Sequence, residues 1–420
     1  MSRAMKDSGI DWIGEIPMDW EILRGKTVFS QRNSKGNHEL RLLSATQKQG
    51  MLPQDLLEGV VLTSENTDLS TFKTVHKNDF VISLRSFQGG FEKSNYEGVC
   101  SPAYQVFYNR VPIHHNFFWL LFKSLGFIDK INSLTVGIRE GKNILYKDFS
   151  NMLLAVPSVA EQEAIAEFLD RKCGEVDEMV SLQEQVIEEL KAYKQSVITE
   201  AVTKGLNPSA PMKPSNIDWI GQIPTHWEIP KLGTLFMIKA GGDAKPALYS
   251  DTLDELHKYP VYTNAKYSDQ IYAYSSIALF PGNSITVTGR GDIGHAIYRD
   301  SPFDAIIRLL VLQPKNSSLV DSRYYTYFID NVIHFFSDSA AVGQLSAIQI
   351  SPYKVAYPPL SEQREIADFL DRKCADIDAL IALKQQKIEE LKQYKKSLIY
   401  EYVTGKKAVP CGANANFTNL

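Results

Sequence analysis

A chain of 420 residues, 44% apolar and 22% charged, has material for two or three domains with cores of their own. No apolar run approaches the roughly 20 residues that span a bilayer, so no membrane association is expected. A formal net charge of -4 excludes the simplest kind of nucleic-acid binder, one basic over its whole surface, yet leaves room for basic loops or for a partner that supplies the positive field.

Residues 1–9 are polar and show no secretory pattern, so a cytoplasmic location is expected. Ile10-Asp11-Trp12-Ile13-Gly14-Glu15-Ile16-Pro17 follows, then Trp20-Glu21-Ile22. Gly25-Lys26-Thr27 resembles the end of a P-loop, but Trp20 stands where its first glycine belongs, and the nucleotide reading fails. Short aromatic and β-branched runs at 79–84 and 103–108 predict strands, and 116–130 predicts a helix. His114-His115 lies beside Phe117-Phe118-Trp119 with no third ligand at metal spacing, and is expected to be a half-buried aromatic segment.

Beyond Pro157 the pattern changes. Cys173, Val176, Val180, Gln183, Ile187, Leu190, Lys194 and Val197 alternate spacings of three and four, the seam of a coiled coil with a polar break in its middle. A helix of about 40 residues would run for roughly 60 Å, too long for one small domain to bury. Lys204 to Pro214 has the Pro, Ser and Asn content of a linker.

The first half then returns. Ile217-Asp218-Trp219-Ile220-Gly221-Gln222-Ile223-Pro224 and Trp227-Glu228-Ile229 repeat the opening, and 362–404 repeats the helix at an offset of 201 with 25 of 43 positions identical. The second seam is Cys374, Ile377, Ile381, Lys384, Ile388, Leu391, Lys395 and Leu398. Between the echoes, residues 30–150 and 237–351 share almost nothing. The second insert has strand-like runs at 284–288 and 309–312 and a predicted helix at 321–336. The economical solution is an antiparallel helix pair with a pseudo-two-fold axis, one scaffold holding two different readers.

Gly289-Arg290-Gly291-Asp292-Ile293-Gly294 matches a dinucleotide fingerprint, but the residues after it predict a strand and not the helix a pyrophosphate needs, so a glycine hairpin is expected. Cys100, Cys173, Cys374 and Cys411 lie far apart with no C-x-x-C spacing, and no catalytic constellation, metal set or cofactor loop is visible. Arg85, Gln88, Lys93, Arg139 and Lys142 in the first insert, and Asn264, Lys266, Arg290 and Gln344 in the second, stand in glycine-flanked loops with the side chains that reach base edges and phosphates. Each taken singly also fits a solvated turn.

The Trp-Ile-Gly-x-Ile-Pro-x-x-Trp opening, Pro-Pro-Leu-Ser-Glu-Gln-Arg-Glu-Ile-Ala-Asp-Phe-Leu-Asp at 358–371, Val-Thr-Gly at 403–405 and the duplication together resemble the DNA-specificity subunit of type I restriction-modification enzymes. So do Ser83-Leu84-Arg85-Ser86-Phe87-Gln88-Gly89-Gly90 and Cys100-Ser101-Pro102-Ala103-Tyr104. The resemblance implies an α/β chain with two mixed target-recognition domains (1–157 and 217–358), two long antiparallel helices (158–204 and 359–405), a linker (205–216) and a disordered tail (406–420). It also implies a non-catalytic subunit without a cofactor that reads a split, asymmetric double-stranded DNA target with one domain per half-site. Its helices would dock two methyltransferase subunits, which carry S-adenosylmethionine, and ATP-dependent restriction subunits would join through the complex. Two readers on one face of B-DNA would sit about one helical turn, roughly 10 base pairs, apart. The alternatives are a structural coiled-coil adaptor whose inserts bind proteins, and an enzyme with an unrecognised active site.

Overall fold

The computed structural model describes residues 3–36, 40–46, 49–57, 69–83, 90–134, 144–267, 270–335 and 344–410. The chain divides into two compact units, Met1–Gln183 with Gln386–Leu420, and Glu184–Gln385.

In the first unit, β1 (Phe29–Arg32), β2 (Phe80–Ile82), β3 (Phe91–Lys93) and β4 (Gln105–Asn109) form an antiparallel sheet in the order β1-β4-β2-β3. Phe29, Phe80, Phe91 and Phe107 point to one face and are fully buried against Phe118 and Phe122 of α1 (His115–Lys123) and Phe127 of α2 (Leu125–Ser133). The rings meet mainly edge to face, Phe29 on Phe118 at 5.2 Å and 89°, the arrangement aromatic quadrupoles favour. The single helix expected over 116–130 is two helices. Ser124 between them is extended, with its hydroxyl donating to Leu121 O, and the chain turns so that Gly126 lies against Trp12, where a Cβ would fall 2.7 Å from the indole. The first long helix, α3 (Val159–Lys204), then begins.

In the second unit, β5 (Phe236–Ala240), β6 (Tyr259–Tyr262), β7 (Ser284–Val287), β8 (Ala296–Arg299), β9 (Asp304–Ala305) and β10 (Leu310–Pro314) precede α4 (Ser322–Val332) and the second long helix, α5 (Leu360–Val403). The main sheet runs β5-β10-β7-β8, all antiparallel. Its strands therefore follow the same order, first, fourth, second, third, as the sheet of the first unit. Two inserts without recognisable sequence similarity thus share a sheet topology, each followed by a helix that covers the apolar face. β6 and β9 pair in parallel within a second small sheet. Part of the expected linker is ordered pairing, because Met212–Pro214 is a strand against Gln222–Pro224, as Met5–Asp7 is against Glu15–Pro17.

Each long helix serves both units. In the first, Ile165, Ala166 and Leu169 from the start of α3 share a core with Leu398, Tyr402 and Val403 from the end of α5. The second unit mirrors this, with Ile366, Ala367 and Leu370 from the start of α5 beside Ile198, Ala201 and Val202 from the end of α3. Within each unit the two segments run antiparallel. Along the seam Cys173, Val176, Ile187, Cys374, Ile377, Ile388 and Leu398 are buried, and Val180, Leu190, Val197, Ile381 and Leu391 are half-buried.

The duplicated Glu-Gln pair at the start of each long helix is a latch. Gln162, buried, donates to Pro157 O and accepts from His114 N at the entrance of α1; Gln363, buried, donates to Pro358 O and accepts from Asp321 N at the entrance of α4. A buried amide that satisfies an orphan helix-terminal donor fixes where the insert's helix meets the frame. At the other end, Gly405, in a left-handed conformation at φ +72°, presses on Pro17 and Trp20, and Gly205, at φ +77°, lies on Trp227. A Cβ at Gly405 would clash with the Pro17 ring, one at Gly205 would press on the indole at 3.2 Å, and the positive φ disfavours a side chain at either position. Of the segment expected as a disordered tail, Lys406 donates to Glu15 O and Val409 packs on the first core, while residues 411–420 lie outside those described.

Candidate nucleic-acid interface

Of the first-insert candidates, Arg85, Gln88, Arg139 and Lys142 fall outside the described residues. Lys93 is described, and it is not a loop residue. It ends β3 and its Nζ donates to Asn116 Oδ1 at 2.6 Å, half-buried, with desolvation lowering its pKa. That engagement with the first turn of α1 makes it an internal prop. His115, its neighbour, bonds Asn109 Oδ1 at 3.2 Å and stacks on Phe80, and burial lowers its pKa, within a half-buried aromatic segment.

In the second insert the candidates converge. Asn264 and Lys266 leave β6, Arg290 is in the turn between β7 and β8, and Gln344 precedes the short helix Ala347–Ile350. Residues far apart in sequence meet because β7 and β8 form a hairpin and residue 344 bridges back to it. Arg290 and Gln344 are paired as an antiparallel bridge, and the Arg290 guanidinium donates to Gln344 Oε1 at 3.2 Å. Asn264 Oδ1 accepts from Gly289 N at 2.7 Å and Arg290 N at 3.2 Å, while its Nδ2 donates to Ile307 O at 2.6 Å. Lys266 reaches Asp292 at 3.3 Å, and Lys266 with His295 holds the Asp292 carboxyl below the usual range. Lys266 and Arg290 are exposed.

The glycine motif is a hairpin turn. Val287 pairs with Ala296, and Thr288 closes the loop by donating to Asp292 O and accepting from His295 N. Gly291 and Gly294 have φ of +71° and +93°, and Gly289 is required by close approach, since a Cβ there would lie 2.9 Å from Arg308 O and 3.2 Å from Leu345 O. No helix follows to hold a phosphate.

Sequence reasoning missed Ile307 and Arg308. They sit in Ile306-Ile307-Arg308-Leu309, an apolar run that reads as strand, with the lone arginine its only signal. Both residues instead adopt left-handed backbone, φ 54° and 62°, and both are exposed. A β-branched residue there is a genuine outlier. Behind the loop Arg299 is buried, its guanidinium 3.5 Å above the Tyr262 ring and its Nε donating to Thr286 Oγ1, with desolvation lowering its pKa.

Among the described residues no helix is long and apolar enough to cross a membrane. The fold and the loop cluster define a class: a duplicated long-helix frame that presents two mixed α/β inserts, one with a basic and amide-rich rim. Residues 224–393 match the family model for the type I restriction modification DNA specificity domain. A Mycoplasma pneumoniae chain named as a type I specificity subunit is 30% identical over 185 residues, 42% of this chain and 53% of that one. The specificity subunit of the type I restriction enzyme StySPI from Salmonella potsdam is 23% identical over 364 residues, covering 80% of this chain and 70% of its own. This chain thus spans about half the length of the first relative. A chain from a structural study of complex assembly and conformational transition in the type I restriction-modification system superposes with a TM-score of 0.72 over 93% of this chain and 99% of its own, at 14% identity, a likeness of fold. The second half of the chain thus carries the type I restriction modification DNA specificity domain, and the chain as a whole is similar to type I specificity subunits.

Proposed function

We propose that this chain is the DNA sequence-recognition subunit of a type I restriction-modification complex, without an active site of its own. Each insert reads one half of a bipartite, asymmetric target. The long helices set the spacer and dock two methyltransferase subunits, and restriction subunits join through the complex.

The observation that carries the reading is the convergence of Asn264, Lys266, Arg290 and Gln344 on one loop rim within the stretch that matches the DNA specificity domain. Arginine and glutamine have donor and acceptor pairs that fit base edges, lysine supplies phosphate contact, and Asn264 ties the turn that carries Arg290 to its neighbour. A net charge of -4 fits a chain whose partners provide much of the field around DNA.

The test is to copurify the chain with its modification subunit and map methylated adenines across a genome. A single split motif, one half of which is lost when residues 30–150 are replaced, supports the reading. An assembled, active complex with no motif overturns it in favour of a coiled-coil adaptor.

A further inference from the structure

We propose that Arg308 is a base-reading side chain of the second insert, and that Asn264 is the residue that positions it. The inference rests on the DNA-recognition reading and extends it to two residues with different jobs.

Backbone geometry comes first. Ile307 and Arg308 are consecutive non-glycine residues in the left-handed region, where each costs on the order of 1–3 kcal/mol unless its surroundings hold it there. The surroundings do. Ile306 N donates to Tyr262 O at 3.0 Å, Ile307 N to Gly242 O at 2.9 Å and Leu309 N to Ile306 O at 3.2 Å, and Asn264 Nδ2 takes Ile307 O. Arg308 O lies so close to Gly289 that only a glycine fits. The strain therefore has three segments fastened around it, and its product is an exposed Ile307-Arg308 tip.

Side chains then divide the work. Asn264 spends both its oxygen and its nitrogen on backbone, joining the 289–290 turn to the 307 tip. A side chain so committed is poorly placed to read a base. Arg290 donates to Gln344. Among the described residues the Arg308 guanidinium has no hydrogen-bond or ion-pair partner, and it stands on a rim whose other cations are Lys266 and Arg290. A phosphate contact tolerates a floppy arm. A bidentate contact to guanine needs an arginine that starts from a fixed place with its fork unspent, and the clamped tip supplies the first while the absence of a partner leaves the second.

The experiment uses the full chain assembled with its modification subunit, comparing wild type with Arg308→Ala, Arg308→Lys, Asn264→Ala and the Arg308→Ala/Asn264→Ala double variant. Binding is measured on duplexes substituted at each position of the second half-site and at several salt concentrations. Arg308→Ala is expected to lose about 10–100-fold in preference at one guanine, leaving the first half-site unchanged. Arg308→Lys keeps the charge and should lose most of that preference too. Asn264→Ala should weaken discrimination at the same position, and the double variant should add little to Arg308→Ala alone. Uniform weakening by Arg308→Ala with a shallower salt slope would make it a phosphate contact and overturn the proposal. So would a wild-type profile. If Asn264→Ala does not fold, the two Arg308 variants still decide the reading residue, and Asn264→Asp, which keeps the acceptor for the 289–290 turn but loses the donor to Ile307, decides the positioning role. Absence of any sequence preference in the wild-type complex is a different failure, that of the DNA-recognition reading itself.

Discussion

Lys395 Nζ lies 2.6 Å from the Asp177 carboxylate, joining the end of the second long helix to the start of the first. The repeat-equivalent pair, Lys194 and Asp378, is joined at 2.7 Å within the other unit. Both lysines occupy seam positions where an apolar residue would be expected, and both reach an aspartate on the facing helix. The duplication is thus visible down to a reciprocal ion pair, each copy giving a lysine near its end and an aspartate near its start. The four side chains are partly exposed, with Asp177 at 63% and Asp378 at 58%.

Exposed pairs of this kind are worth about 0–1 kcal/mol each. Lys395→Met is therefore expected to change stability by less than about 1 kcal/mol, and reversal of the pair, Lys395→Asp with Asp177→Lys, to restore most of any loss. Urea unfolding of the three proteins checks this. A loss of several kcal/mol from Lys395→Met would show that the pair does more than register the helices.

The buried latches should behave differently. Gln363→Leu leaves Asp321 N, Pro358 O and Leu319 O without their partner, and each orphaned buried group costs about 1–3 kcal/mol. A loss of roughly 2–4 kcal/mol is expected, and the same direction for Gln162→Leu. Unfolding midpoints within error of wild type for both would contradict the latch.

Acidity bears on the first unit. Glu92 is buried and one carboxylate oxygen accepts from Lys123 Nζ at 2.6 Å; burial pushes its pKa up to about 7 against the pull of Lys123. Burial lowers the pKa of Lys123 as well, although each charge favours its partner's. With Glu92 raised above the ordinary glutamate value of 4.5, the folded state holds the proton more tightly than the unfolded one. The stability this gives is fully present below pH 4.5 and is lost as pH climbs through about 7. Lys123 acts at the alkaline end, where its lowered pKa lets stability return as pH rises toward 10.5. The Glu92→Gln/Lys123→Met variant removes both groups, so its unfolding midpoint should fall less than that of wild type between pH 5 and pH 7.5. Parallel profiles would sink the assignment.

Glycine placement gives a sharper local test. Gly289→Ala would set a Cβ 2.9 Å from one backbone oxygen and 3.2 Å from another. Neither can swing aside, so a cost of about 1–3 kcal/mol is expected. Gly291→Ala meets open space and should cost only about 1 kcal/mol for its positive φ. Thermal unfolding of the two variants should rank them in that order, and the reverse order would mean the turn is not pressed against Arg308.

The long helices were legible because their signal is long. Spacings of three and four persist over both copies, and no other structure buries that pattern. The inserts were harder, since their strands run three to five residues and the shared sheet order depends on pairings such as Phe107 with Gln31 and Phe80, which no local pattern encodes. Residue type alone singles out Asn264, Arg290 and Gln344, but their meeting follows from strand neighbours distant in sequence. Lys93 reads as a loop residue because a strand end next to paired glycines looks like one. Arg308 was invisible because a strained turn hid inside an apolar run. The Glu-Gln repeat was plain to read, yet its duty as a latch needed the insert's helix beside it.

The composition of the first unit has a consequence for synthesis on the ribosome. Its core contains Leu398, Tyr402 and Val403, and Tyr400 donates to Trp12 O at 2.8 Å. The second unit is one continuous stretch of chain. Translated from the amino end, the domain that emerges first is the one that must wait, its hydrophobic face unfinished until the second has been made, while the domain that emerges second can close at once. The molecule is completed in the opposite order to that in which it is written.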